Sequence, residues 1–247
     1  MEAKIIVPSL EGIHNTNLDQ SLARMERGRL YRDLSTVIIC PTRGVIPATV
    51  VQSWMGLIRP MNQKVVGPIF IQGLEVGEAY ESAIDLILNN PDLKDYKYVC
   101  TIEEDNCPPP DGLMRLYEAI EGEVDGQKYD CVGGLYWTKG DGGMPMCYGN
   151  PNEHPVNFIP QMPMPNAVTR CNGLGMGFNL FRMSMFTDGR IERPFFKTLQ
   201  QYIPGQGTKA YTQDLYFFER AGAKGYKFAC DSRTLVGHYD VNTGVMW

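Results

Sequence analysis

Unbroken apolar runs alternate with helical stripes along most of the chain. Thr36-Val37-Ile38-Ile39-Cys40 is a continuous, mostly β-branched run that suits a central parallel strand buried on both faces, and Pro41 closes it. After the loop Pro41-Thr42-Arg43-Gly44, apolar residues recur at Val50, Val51, Trp54, Leu57 and Ile58, which predicts a helix that buries one stripe. A second unit pairs Gly67–Gln72 with a stripe at Val76, Tyr80, Ala83, Ile84, Ile87 and Leu88, and Pro91 ends that helix through its restriction on the preceding residue. The third runs from Tyr96 to Ile102, then through an acidic tetrad and Pro108-Pro109-Pro110 into a helix carrying Leu113, Leu116, Tyr117 and Ile120.

A strand over Asp130–Thr138 follows, and then the pattern stops. Residues 139–170 hold six prolines, four glycines and only four charged side chains, with Met144, Met146, Met162 and Met164 interleaved. A stretch of that length without periodicity predicts either a lid or binding segment, or disorder. Order returns at Gly177–Phe181, preceded by Gly173-x-Gly175-x-Gly177, glycines that enter a strand and so permit close backbone approach rather than cradle a dinucleotide. A last helix is expected from Thr212 to Ala221 with Gly222 as its C-cap, then a strand through Tyr226, Phe228 and Cys230, then Gly237-His238.

Residues 1–35 do not fit this alternation. Their Ile5-Ile6-Val7 run and an Arg-rich helical stripe through Leu22, Met25, Leu30 and Tyr31 suggest an appendage on a single domain spanning 36–247. At 247 residues, with 43% hydrophobic and 11% aromatic positions, the chain has material for one sizeable core, which excludes disorder and fibres. No run approaches the roughly 18 apolar residues of a membrane span, and the N-terminus lacks a signal-peptide pattern, so a soluble, cytoplasmic protein is expected. Seven scattered cysteines without a C-x-x-C pair read as reduced thiols, and Cys40, Cys100, Cys131 and Cys230 fall in strand-like runs where a small hydrophobe packs well. The formal charge of −5 disfavours an extended grip on duplex DNA and leaves room for an acidic pocket.

The candidate pocket is Glu103-Glu104-Asp105-Asn106, just past the carboxyl end of a buried strand, where open α/β sheets place ligands. Massed carboxylates favour a shared cation, and hard oxygen ligands suit Mg²⁺ or Mn²⁺. The plain alternative is a solvated acidic turn ahead of a helix N-terminus.

From Thr101 to Asp111 this segment resembles the D-x-D region of metal-dependent GT-A glycosyltransferases, above all family-2-like members. Glu103 takes the first acidic position and Asp105 the last. Gln213-Asp214-Leu215-Tyr216-Phe217-Phe218-Glu219-Arg220-Ala221 with Gly225-Tyr226-Lys227 is similar to the family's later acidic helix, and Gly237-His238 to its terminal Gly-His. The resemblance covers most of the chain, from Thr36 to His238. It implies a Rossmann-like, mixed but mainly parallel sheet flanked by helices, with a nucleotide-binding part over 36–138 and an acceptor-binding part over 139–247.

The same resemblance implies a hexosyltransferase-like enzyme that moves a sugar from a nucleoside-diphosphate sugar to a hydroxyl acceptor. Asp105 and His238, with Glu103, would hold the divalent cation, while Glu103 and Glu104 would also lie near the donor. Asp214 would be the general base, which a first-turn position favours by stabilising its ionised form. Pro41, Thr42 and Arg43 resemble the base-binding turn, and Gln72 and Glu75 stand where the family has an Asp. Trp137, Asn172, Gly173 and Gln213 would line the acceptor and sugar cleft. A nucleotidyltransferase on a similar sheet, which would also need acidic metal ligands, is one rival, and two departures, Glu103 for the usual Asp and Gln213 for the usual acidic residue, keep open a second, a non-catalytic sugar- or nucleotide-binding module.

Overall fold

The computed structural model describes residues 32–205 and 207–247. The Ile5-Ile6-Val7 run and the helix expected through Tyr31 lie outside the described residues. The sequence units become strands β1 (Thr36–Thr42), β2 (Val65–Gln72), β3 (Tyr98–Ile102), β4 (Asn106–Cys107), β5 (Cys131–Leu135), β6 (Cys147–Tyr148) and β7 (Val168–Cys171). They continue with β8 (Gly173–Leu174), β9 (Phe178–Arg182), β10 (Leu199–Ile203), β11 (Gly207–Tyr211), β12 (Phe228–Leu235) and β13 (Gly237–His238). The helices are α1 (Ala48–Met55), α2 (Val76–Asn89), α3 (Gly112–Ile120), α4 (Ser184–Thr187) and α5 (Gln213–Ala223).

Seven strands form the central sheet in the order β2-β1-β3-β9-β5-β12-β7. β2, β1 and β3 are mutually parallel, β9 runs antiparallel between β3 and β5, and β12 is parallel to β5. Only β9 and the edge strand β7 oppose the rest. The described residues thus form a single α/β domain of the Rossmann-like type expected from sequence.

Alternation of side chains across the pleat explains why the strand sequences are apolar throughout. Val37 and Ile39 of β1 pack on one face with Tyr80, Ala83, Ile84 and Ile87 of α2 and Phe217, Phe218 and Ala221 of α5. Ile38 and Cys40 pack on the other face with Leu113, Leu116, Tyr117 and Ile120 of α3. Each Val, Ile, Leu or Phe among them, removed from water, contributes roughly 1.5–3 kcal/mol, which sets the sheet firmly between its helices. Cys40, Cys100, Cys131 and Cys230 are all buried among these side chains, as packing thiols.

Two expectations are corrected. Residues 139–170 are not structureless: β6 pairs with β8, Trp137 bridges to Pro145, and Tyr148 bridges to Pro160, so the Pro/Met segment folds back as a meander beside the sheet. Backbone pairing there uses the two-residue strand β6, isolated bridges and, at its end, the edge strand β7, pieces too short to leave a hydrophobic period to read. Helix α5 runs through Gly222 and ends before Gly225, whose φ of 85° is the left-handed turn that glycine tolerates. Among the described residues, no helix is long and apolar enough to cross a membrane.

Candidate functional site

Because β1, β2, β3, β5 and β12 share one direction, their carboxyl ends lie along one edge of the sheet. That edge carries Arg43, Gln72, Glu103 to Asp105, Trp137 and His238, residues far apart in sequence. The strand order also reverses there, with β2 on one side of β1 and β3 on the other, the kind of switch point at which α/β sheets bind ligands.

The central pair is Asp105 and His238. β13 pairs antiparallel with β4, setting His238 opposite Asn106, and the Tyr239 N–H donates to the Asp105 carbonyl at 2.7 Å. His238 Nδ1 lies 2.7 Å from the Trp137 carbonyl oxygen. A carbonyl only accepts, so Nδ1 donates its proton there, and Nε2 is the ring nitrogen that faces Asp105. Nε2 is 3.5 Å from Asp105 Oδ2, and the ring stands edge-on to Tyr136 at 5.3 Å. Lys139 Nζ donates to the same Oδ2 at 2.5 Å. Burial works to raise the Asp105 pKa, but His238 and Lys139 outweigh it and hold the carboxyl down at about 2.

Glu103 behaves oppositely. Its backbone N–H donates to the Gly177 carbonyl at 3.1 Å, and its Oε1 accepts from the Tyr80 hydroxyl at 3.0 Å. Burial first, then repulsion from Asp105, push its pKa up to about 7, and Asp214 adds to the repulsion. Asp214 itself is buried in the first turn of α5, and desolvation raises its pKa. The expectation that the helix terminus would favour its ionised form is therefore corrected, since loss of water outweighs the local donors, including the Leu215 N–H at 2.9 Å.

The glycine run permits this crowding. A Cβ on Gly175 would stand 2.2 Å from the Tyr136 hydroxyl, and one on Gly177 would stand 2.7 Å from both Tyr136 and the Asn106 amide. Both contacts are impossible for a larger residue without movement, so these glycines let β9 enter beside the acidic turn.

Other candidates hold the framework. Glu104 accepts from the Thr42 hydroxyl at 2.7 Å and the Arg43 N–H at 2.8 Å, and also pairs with the Arg43 guanidinium. It ties the turn after β3 to Pro41, Thr42 and Arg43, and the Arg43 side chain remains 77% exposed and available to a ligand. Gln72 lies against Gly44 of that loop. Glu75 caps α2, accepting from the Gly77 N–H at 2.8 Å and, through its other oxygen, from the Thr198 hydroxyl at 2.7 Å. Gln213 is buried against Gly77. Asn172 donates to the Asn157 carbonyl at 2.8 Å, and Gly173 leaves room for Phe158, so both anchor the meander. Trp137 is half-buried against the core.

A cation fits the central pair in a limited sense. Asp105 Oδ2 and His238 Nε2 can share one ion, but among the described residues no three His, Cys, Asp or Glu side chains converge into a protein-only cage. An ion here would take its remaining ligands from phosphate oxygens and water, as Mg²⁺ commonly does.

The fold is shared with A197 from STIV. Its crystal structure aligns at a TM-score of 0.55 over 83% of this chain and 86% of that one, at 20% identity. A Bacillus anthracis protein assigned as a glucose-1-phosphate thymidylyltransferase, solved in complex with a sucrose, covers 62% of this chain and 73% of its own at 11% identity. Its TM-score of 0.32 gives it no weight. No family model and no curated protein matches the sequence.

Sequence reasoning missed Lys139 and Tyr80. Tyr80 sits in a helical stripe that reads as core, and Lys139 opens a segment with no period. A lysine directly after a strand that carries a cleft residue was the one available signal.

Proposed function

We propose that the chain transfers a sugar from a nucleoside-diphosphate sugar to a hydroxyl acceptor, assisted by a divalent cation. The observation that carries this reading is the approach of His238 Nε2 to Asp105 Oδ2 past the carboxyl end of β3, with the ring oriented by the Nδ1 contact to the Trp137 carbonyl. Asp105 and His238 would hold the cation, which supplies Lewis-acid stabilisation of the diphosphate leaving group. Arg43 stacks on the base or pairs with phosphate. Asp214 accepts the acceptor proton, and a carboxylate whose pKa is raised is a stronger base for that step. Inversion at the anomeric carbon follows if Asp214 lies in line with it.

The test is a thermal-shift screen of nucleoside diphosphates with and without Mn²⁺, followed by donor-hydrolysis assays on the sugar nucleotides of any base that binds. Selective, cation-dependent stabilisation is expected, because a ligand that binds only the folded chain raises its stability by mass action. Release of pyrophosphate from a nucleoside triphosphate would overturn the reading in favour of nucleotidyl transfer. Binding without turnover would favour a non-catalytic module.

A further inference from the structure

Lys139 occupies a particular position in this cleft. Its ammonium sits 2.5 Å from Asp105 Oδ2, the oxygen that also faces His238 Nε2 at 3.5 Å. A divalent ion bound to that oxygen at about 2.0–2.2 Å would be pressed against a unit positive charge. The ammonium and the ion therefore compete for Asp105. Lys139 has a way out. It lies at the base of the Lys139-Gly140-Asp141-Gly142-Gly143 turn, where Gly140 and Gly142 have φ of 98° and 77° with open space around them, and its side chain is 28% exposed on a flexible stem. A diphosphate that arrives with the ion supplies anionic oxygens to replace the one the ammonium gives up.

We propose that Lys139 is a phosphate-binding residue that couples cation and diphosphate: it neutralises Asp105 in the free protein and transfers to the diphosphate when an ion takes Asp105 and His238. This deepens the function proposed above and rests on it. Its thermodynamic content is that the ion alone binds weakly, the diphosphate alone binds weakly, and each strengthens the other by the same factor.

The experiment compares the native protein with Lys139→Gln and Lys139→Arg. Mn²⁺ affinity is measured by electron paramagnetic resonance without any anion, and inorganic pyrophosphate affinity by calorimetry at saturating Mn²⁺, with thermal melting to confirm folding. Lys139→Gln should bind Mn²⁺ alone on the order of tenfold more tightly, because the competing charge is gone. It should bind Mn²⁺-loaded pyrophosphate on the order of tenfold more weakly, because a charge-assisted contact is lost. Lys139→Arg should keep most of the native coupling. Unchanged or weaker Mn²⁺ binding by Lys139→Gln, or unchanged pyrophosphate affinity, would overturn the proposal. Neither arm uses a sugar nucleotide: a chain that showed the coupling but transferred no sugar would keep the role of Lys139 and lose the glycosyl-transfer reading.

Discussion

The Tyr80 hydroxyl, carried on a helix, donates to Glu103 Oε1 at 3.0 Å across the end of the sheet. This bond favours the ionised carboxylate against burial and the Asp105 charge, which together place the Glu103 pKa at about 7 instead of 4.5. Below about pH 4.5 the group is protonated in both folded and unfolded chains. Between that pH and about 7 only the unfolded chain ionises, so the stability this group contributes is lost as pH rises through the window. Glu103→Gln should flatten the fall in urea-derived stability from pH 5 to 8 and leave the variant about 2 kcal/mol more stable at pH 8. Tyr80→Phe should move the fall to higher pH. A slope unaffected by Glu103→Gln would assign the titration to another group.

Asp214→Asn keeps the shape of a buried side chain and removes its basicity. Turnover should drop by roughly 10²–10⁴-fold with nucleoside-diphosphate affinity unchanged, the split between kcat and Kd identifying the general base. Full activity in this variant would remove Asp214 from that role.

Gly177→Ala adds one methyl group 2.7 Å from Tyr136 and the Asn106 amide. Tyr136 in turn supports the His238 ring. The variant should lose about 1–3 kcal/mol in chemical denaturation, a usual overpacking cost, and should bind Mn²⁺ more weakly even where it is folded. Destabilisation with native Mn²⁺ affinity would mean that the imidazole does not depend on this packing.

Glu104→Ala unties the loop after β1 from the acidic turn. The expected result is roughly tenfold weaker binding of nucleoside diphosphates, about 1.4 kcal/mol, with pyrophosphate affinity retained where Arg43 stacks on the base, since the lost contacts position Thr42 and Arg43. Equal losses for both ligands would show that Glu104 acts on the phosphate site as well.

The fold was legible because its strands are short apolar runs and its helices carry clear stripes. Val37 to Cys40 needs both faces covered, and α2 and α3 cover them. The position of Asp105 was legible from its acidic neighbours, and that of His238 from the resemblance alone. Their distance was not: it depends on the two-residue pairing of β4 with β13, too short to leave a pattern. The ordering of carboxylate strengths was also hidden. Asp105 and Glu103 are two residues apart, yet one is held down by Lys139 and His238 and the other is pushed up by burial, and neither environment is written in local sequence. The resemblance put Glu104 and Glu75 on the donor side, and what it did not carry is that their oxygens also hold a loop and cap a helix.

The antiparallel strand β9 has a consequence for how the chain is made. It fills the gap between β3 and β5, but both of those strands leave the ribosome before it does. Until Phe178–Arg182 emerges, β3 and β5 each present an unpaired edge with apolar faces, the state most prone to pairing with another chain. Pausing of translation before Arg182 has cleared the ribosome should therefore reduce soluble yield more than pausing after it has, a difference that ribosome-stalling reporters can read.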